Sequence, residues 1–347
     1  MVLDGIVVLD LTRLLPGAVA TQQLSDWGAE VIKVEDTRAG DYAREMNPPL
    51  FAATNRGKKS VSIDLKDARG RDVLLEMTRR ADVLIEGNRP GVMDRLGLGY
   101  EALKSVNPKL IYCSLTGYGQ SGPFAKLAGH DVNYMALGGV LGLNLPVIPG
   151  VQIADLVGGS MQAVTGILLA LIERAQTGAG RFVDVSMYAG VKSLLTVPLA
   201  AWRATGREPE TGQEILSGKY ACYNLYQARD LRWLAVGALE PKFWADLCRR
   251  LSCEELIAQQ FDPAQQPVKE QIASIFRTKP AVQWFEELGT SDCCVTLVRT
   301  VGEVAAEIER PTASPSPTLG QHTREVLQRF GLPSTQIEEL QSQGVIR

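Results

Sequence analysis

The first half of the chain alternates short β-branched runs with stretches of helical period. Ile6-Val7-Val8-Leu9-Asp10 reads as a first strand. A loop carrying Pro16-Gly17 follows, then a helix-like stretch from Ala18 to Trp27 that Gly28 closes. Glu30 to Glu35 reads as a second strand, which completes the strand–helix–strand unit of a parallel sheet. The alternation continues with strands at residues 61–65, 82–86 and 110–115 and helices at residues 67–79 and 100–106. Right-handed crossovers turn this order into a doubly wound α/β sheet.

Residues 116–130 form a glycine-rich loop. It is either a plain surface connection or a place where a ligand approaches the backbone, and its unusual length favours the second reading. Another loop, residues 143–153, leads to Ala154-Asp155. Apolar residues at 157, 161, 164, 168 and 171 then make a helical stripe, and apolar residues on the other faces predict a buried helix. Thr177-Gly178-Ala179-Gly180 ends it, and Phe182 to Met187 reads as a strand. Polar residues 201–220 read as a linker into a second module. That module holds a strand from Trp233 to Gly237, an amphipathic helix from residue 241 and further helices to about residue 308. Pro311, Pro315 and Pro317 separate it from a last helix after Gly320.

Composition removes several function classes. The 347 residues carry 36 Lys+Arg against 39 Asp+Glu, a formal net charge of −3, which argues against a dedicated nucleic-acid binder. Two histidines, His130 and His322, argue against a metal centre built on several imidazoles. Cys113, Cys222, Cys248, Cys253, Cys293 and Cys294 form no CxxC pair and read as reduced thiols. The first βα turn has one glycine where a dinucleotide-binding fingerprint has three, so a nicotinamide or flavin cofactor is not expected. The longest apolar stretch, around residues 163–172, is too short to span a bilayer, and no basic leader precedes the first strand. The expected location is cytoplasmic.

Three side chains carry the candidate chemistry. His130 is a scarce residue placed between the glycine loop and Asp131. A lone histidine is more often structural, but that setting favours an acid–base role. Asp155 precedes an apolar helix, where an aspartate ordinarily caps the N-terminus. The same place has a sharper reading: if Gly158 and Gly159 leave helix amides accessible, an oxygen turning into an enolate would be stabilised there. Glu240, next to Pro241, reads as charge at the start of a helix. The three are far apart in sequence, so only the fold can bring them together.

The chain also resembles family III of the CoA-transferases, and within it the α-methylacyl-CoA racemase group. The resemblance spans nearly the whole sequence. It rests on Asp10-Leu11 through Gly28 to Glu35, Asn88-Arg89-Pro90-Gly91-Val92, Gly117 to Pro123, Gly129-His130-Asp131, Ala154-Asp155 with Gly158-Gly159, Thr177 to Gly180 and Leu319 to Thr323. In the family's transferases the aspartate matched by Asp155 is a nucleophile that forms an acyl anhydride, and the histidine is usually missing. The racemases have the His-Asp pair and the glutamate matched by Glu240.

The resemblance therefore implies a racemase that inverts the α-carbon of a 2-methylacyl-CoA by two-base proton transfer through an enolate, with a CoA-transferase as the alternative. His130 and Asp155 would be the two bases, and Glu240 would orient the histidine. CoA contacts are implied at Arg38, Leu65, Lys66, Gly87, Asn88, Arg89, Arg95, Gly129, Asp131, Asn133 and Tyr134, with Arg56, Lys58 and Lys59 as a nearby basic cluster. CoA arrives as part of the substrate, and no separate cofactor, metal, nucleic acid or membrane partner is implied. The family fold is an interlocked homodimer. Its large doubly wound domain would be residues 1–200 completed by 319–347, and its smaller α+β domain residues 221–310, joined by linkers at 201–220 and 311–318. One departure stands out: the segment between Thr296 and Leu319 is shorter than usual in the family.

Overall fold

The computed structural model describes residues 1–308 and 315–347. It divides into two compact units, Met1–Val197 with Thr312–Arg347, and Pro198–Pro311. The first unit is built on six parallel strands: β1 (Val7–Leu11), β2 (Glu30–Glu35), β3 (Lys59–Ser62), β4 (Val83–Glu86), β5 (Ile111–Thr116) and β6 (Phe182–Ser186). Their order is β3-β2-β1-β4-β5-β6. The winding reverses between β1 and β4, so the crevice outside their carboxyl ends is the topological switch point, where open α/β sheets bind ligands. Leu9, Ile32, Leu84 and Tyr112 build the core on one face of the sheet, and Val8, Val31, Ile85 and Cys113 build it on the other. Burial on both faces is why these strands read as unbroken apolar runs.

Two boundaries differ from the sequence reading. The first helix spans Leu14–Asp26, so Pro16-Gly17 lies inside it and not in a loop. Proline is tolerated in a first turn because those N–H groups have no intrahelical acceptor. Strand β3 ends at Ser62, and residues 63–65 leave the sheet. There Ile63 bridges Ile346, and the Asp64 N–H donates to the Val345 carbonyl at 2.8 Å. The C-terminal segment thus covers the β3 edge. The His322 N–H donates to the Ser60 carbonyl at 2.9 Å, the Ser60 N–H donates to His322 Nδ1 at 3.2 Å, and Val326, Leu327, Phe330 and Ile337 enter the core. An edge strand capped in this way cannot template association with another chain.

The helix Ala154–Thr177 is not the buried helix that its stripe predicts. Its first two turns, Ala154–Met161, are π-wound and run into the α-helix Gln162–Thr177. By length and composition it is apolar enough to cross a membrane, yet only a third of its most apolar stretch is buried. Ala163, Ile167 and Ala170 face the core, while Met161, Leu169 and Ile172 are exposed.

The second unit carries a three-stranded antiparallel sheet, β7 (Tyr223–Gln227), β8 (Trp233–Gly237) and β9 (Val295–Leu297). Helices Pro241–Arg250, Gln265–Phe276 and Ala281–Leu288 supply Trp244, Leu247, Ile272, Phe276 and Trp284 to its separate core. The helix Thr196–Thr205 occupies the first residues of the stretch read as a linker. Of the expected return linker, residues 311–314 lie outside the described residues.

Candidate active site

Two cavities open at the switch point. One, of about 450 Å³, is lined by Arg13, Gly87, Asn88, Arg89, His130 and Tyr134 among others. The other, of about 300 Å³, is lined by Arg13, Leu65, Lys66, Asn88 and Arg95 among others. Arg13 and Asn88 border both, so the crevice is continuous along the β1 and β4 ends. Among the described residues, Lys66, Arg89 and Arg95 pair with no carboxylate. Spare cations at a crevice match a ligand that brings several negative charges.

The basic cluster at residues 56–59 behaves otherwise. Lys58 is fully buried, its ammonium donating to Thr21 Oγ1 at 2.7 Å, Asn55 Oδ1 at 2.9 Å, the Ala18 carbonyl at 3.0 Å and Asp10 Oδ2 at 3.3 Å. Burial pushes it down to about 8, against the pull of Asp10. Lys59 pairs with Glu30 and Glu325, and Arg56 with Asp26. All three cations have internal partners, and none of them lines either cavity. Arg38 is exposed after β2, gives its N–H to Asp36 Oδ1 at 3.0 Å, and lines neither cavity. Arg13, which the sequence reading did not single out, lines both cavities. It directly follows the first strand and its Thr12, and its guanidinium donates to the Tyr42 hydroxyl at 2.7 Å and Asp36 Oδ2 at 3.2 Å. The usable signal was its position at the carboxyl end of β1, where the switch point had to lie.

One helical turn organises the chemistry. His130 stands just before the helix Asp131–Leu137, exposed, with its N–H donating to Asn133 Oδ1 at 3.0 Å. The Asp131 carboxylate accepts the Asp155 N–H at 2.9 Å, which ties the π-wound helix to the residue after the histidine. The Tyr134 hydroxyl donates to the Gly129 carbonyl at 2.5 Å and fixes the chain entering His130. Gly117 is needed here, because a Cβ on it would stand 2.4 Å from the Tyr134 ring. The side chains of Asp131, Asn133 and Tyr134 thus bind neighbouring backbone groups. His130, Asn133, Tyr134 and Gly129 also line the larger cavity.

Asp155 is half-buried. Burial pushes its carboxyl from 3.8 up to about 6, the Asp131 charge adds to the rise, and His130 opposes it. It is not an N-cap: it lies inside the first turn, and the cap position, Ile153, makes no side-chain cap bond. Nor do Gly158 and Gly159 leave amides open. Both are buried, and a Cβ on Gly158 would meet the Met187 carbonyl oxygen at 2.6 Å. Their role is close packing against the helix Met187–Ser193, where a Cβ on Gly190 would stand 2.2 Å from the Gly158 carbonyl oxygen. Gly190→Ala is therefore expected to cost about 1–3 kcal/mol in urea denaturation by overpacking the helix that carries Asp155.

Glu240 belongs to the second unit. It is exposed immediately before the helix Pro241–Arg250, and its carbonyl accepts the Phe243 N–H at 2.9 Å. The proline occupies the first helical position, as its sequence setting predicts.

A parallel sheet with a switch-point crevice lined by both cations and carboxylates, beside a His-Asp turn, is an α/β fold with a candidate ligand site. The profile of CoA-transferase family III matches residues 3–313, and the chain belongs to that family. It is 38% identical over 387 aligned residues to the alpha-methylacyl-CoA racemase of Mus musculus, covering all of this chain and 98% of the relative. The succinyl-CoA:glutarate CoA-transferase of Mus musculus is 31% identical, over 99% of this chain and 90% of the relative. A crystal structure of a CAIB/BAIF family protein from Brucella suis superposes with a TM-score of 0.80 at 28% identity, covering 94% of this chain and 99% of that one. The racemase alignment is longer than the 347 residues of this chain, so that relative carries segments this chain lacks.

Proposed function

We propose that the protein racemises the α-carbon of a 2-methylacyl-CoA thioester. The observation that carries this reading is the Asp131 bridge: one carboxylate joins the turn bearing His130 to the amide of Asp155. Inversion needs two groups, one to remove the α-proton and one to deliver a proton to the opposite face. A carboxyl held at about 6 exchanges protons readily near neutral pH, which suits this role better than that of a permanently ionised nucleophile. His130 takes the proton of one enantiomer and Asp155 that of the other, with an enolate of the thioester between them. Lys66, Arg89 and Arg95 supply charge for the phosphates. CoA enters and leaves with the substrate, so the reading needs no separate cofactor or metal.

The transferase reading draws on the 31% identical relative and makes Asp155 a nucleophile. Incubation with a 2-methylacyl-CoA in deuterated water, without any acceptor acid, separates the two. The expected result is deuterium at the α-carbon. CoA transfer to added succinate with no α-label would replace the racemase by the transferase.

The exposed apolar face of the Ala154–Thr177 helix supports a homodimer, since Met161, Leu169 and Ile172 would otherwise face water. Sedimentation equilibrium is expected to give twice the chain mass wherever the protein is folded. A folded, active monomer would contradict this assembly.

A further inference from the structure

The structure assigns Ser160 as a positioning residue, whose hydroxyl sets the orientation of the turn that carries Asp155. This role rests on the reading of Asp155 as a proton-transfer group and names what holds that group in place. Asp155 lies on the π-wound stretch Ala154–Met161. Such winding is rare, bonds residues five apart, and recurs at functional sites. Both peptide groups of Asp155 are held by side chains. Its N–H donates to Asp131 Oδ1 at 2.9 Å, and its carbonyl oxygen accepts from the Ser160 hydroxyl, five residues on, at 3.1 Å.

The bonds of Ser160 are not those of an ordinary helix serine. A hydroxyl inside an α-helix bonds the carbonyl three or four residues back. Thr165, further along the same helix, does this, donating to the Met161 carbonyl at 2.8 Å. Ser160 instead reaches five residues back to Asp155 and across to the first helix, where it donates to the Pro16 carbonyl at 2.7 Å. Its single hydrogen is shared between the two oxygens, with the Pro16 arm the shorter. Ser160 is fully buried, so losing its hydroxyl would leave both carbonyls short of a donor that bulk water does not replace.

Pro16 lines the cavity that holds His130. Ser160 therefore joins the wall of that cavity, on one helix, to the backbone of Asp155, on another. The glycines beside it do a different job. A Cβ on Gly159 would stand 2.9 Å from Met187 Cγ, and one on Gly158 would meet the Met187 carbonyl oxygen at 2.6 Å, so they set how closely the helix approaches its neighbour. Close packing fixes where the helix lies. Directional bonds fix how the Asp155 turn is rotated, and Asp131 and Ser160 supply them from two sides. A carboxyl that must meet one face of a planar enolate depends on this, because a misplacement of about 1 Å can cost about 10²-fold in rate.

Washout of the α-proton from each enantiomer of a 2-methylacyl-CoA in deuterated water, measured on the full chain, tests this role. Asp155→Ala first identifies the enantiomer whose proton Asp155 removes. Ser160→Ala is expected to slow washout from that enantiomer about 10-fold or more at saturating substrate, to change the other by less than about twofold, and to keep KM for both. A merely structural role would slow both enantiomers alike. Amide hydrogen exchange of the peptide spanning residues 154–161 reads the turn without any turnover, and it should quicken about 10-fold in Ser160→Ala. Ser160→Cys keeps a weaker donor and should fall between the wild type and Ser160→Ala in both measurements. Thermal melting checks each variant, and if Ser160→Ala fails to fold, Ser160→Cys decides. Equal slowing of both enantiomers, wild-type washout in a folded variant, or unchanged amide exchange would overturn the proposal. Absence of washout in the wild-type chain would overturn the racemase reading alone, and amide exchange would then decide on Ser160.

Discussion

Replacing either His130 or Asp155 with alanine is expected to cut racemisation about 10²–10⁴-fold in both directions, with CoA affinity largely kept. Under the proposed two-base mechanism both directions suffer, because each enantiomer would use one group as base and the other as acid. Proton washout separates the two: His130→Ala retains some exchange on the Asp155 face, and Asp155→Ala some on the His130 face. pH adds a second signature. Asp155 acts as base only when ionised, so the direction that depends on it fades as the pH falls through about 6.

The same shift has a stability cost. Asp155 rises from 3.8 to about 6 on folding, so the folded chain holds its proton more tightly than the unfolded one. Stability is therefore lost as the pH rises from 3.8 through 6. After discounting for partial solvent exposure, the penalty at neutral pH is about 1–2 kcal/mol. Asp155→Asn should then be inactive as a racemase yet more stable by that amount in urea denaturation at neutral pH. Near-wild-type racemisation by folded His130→Ala, or a destabilised Asp155→Asn, would refute the assignment.

The other large effect is expected far from any proton transfer. Lys33 is fully buried, 2.8 Å from Asp41 Oδ2 and 3.9 Å from Asp10 Oδ2, and donates to the Thr12 carbonyl at 3.0 Å. Burial alone would raise the Asp10 carboxyl, but Lys33 and Lys58 outweigh it and hold it at about 2. Asp41 in turn accepts the Leu14 N–H at 3.0 Å, so this network pins the turn that carries Arg13 to the crevice. Lys33→Ala leaves buried carboxylates short of a counter-charge and should cost about 3–5 kcal/mol. Arg79→Ala, which breaks an exposed pair with Glu76, should change stability by less than about 1 kcal/mol. Urea denaturation of both variants checks the contrast, and acyl-CoA affinity should fall only in the first.

Most of the sheet was legible because strands buried on both faces declare themselves by composition. The end of β3 was not, since Ile63 and Asp64 look like more strand and are drawn off by Ile346 and Val345. His130 and Asp155 were each visible as scarce or well-placed residues, but the Asp131 bridge between their helices depends on tertiary packing that no local pattern encodes. Lys58 misled for a related reason: a run of cations resembles a phosphate site, while the carboxylate that occupies this one lies 48 residues away at Asp10. The glycines at 158 and 159 misled because glycine serves close helix packing as well as open amides, and only the neighbouring Gly190 distinguishes the two.

The capped β3 edge also bears on how the chain reaches its native state. The bond from the Ser62 N–H to Thr323 Oγ1 spans 261 residues, with the entire second unit inside the loop it closes. A nascent chain can complete the inserted unit from contacts within its own sequence. The larger core must wait for Val326, Leu327 and Phe330 to arrive. Until then an open strand edge and an unfinished apolar face are presented to other chains, the kind of interval in which folding is slow and aggregation favoured.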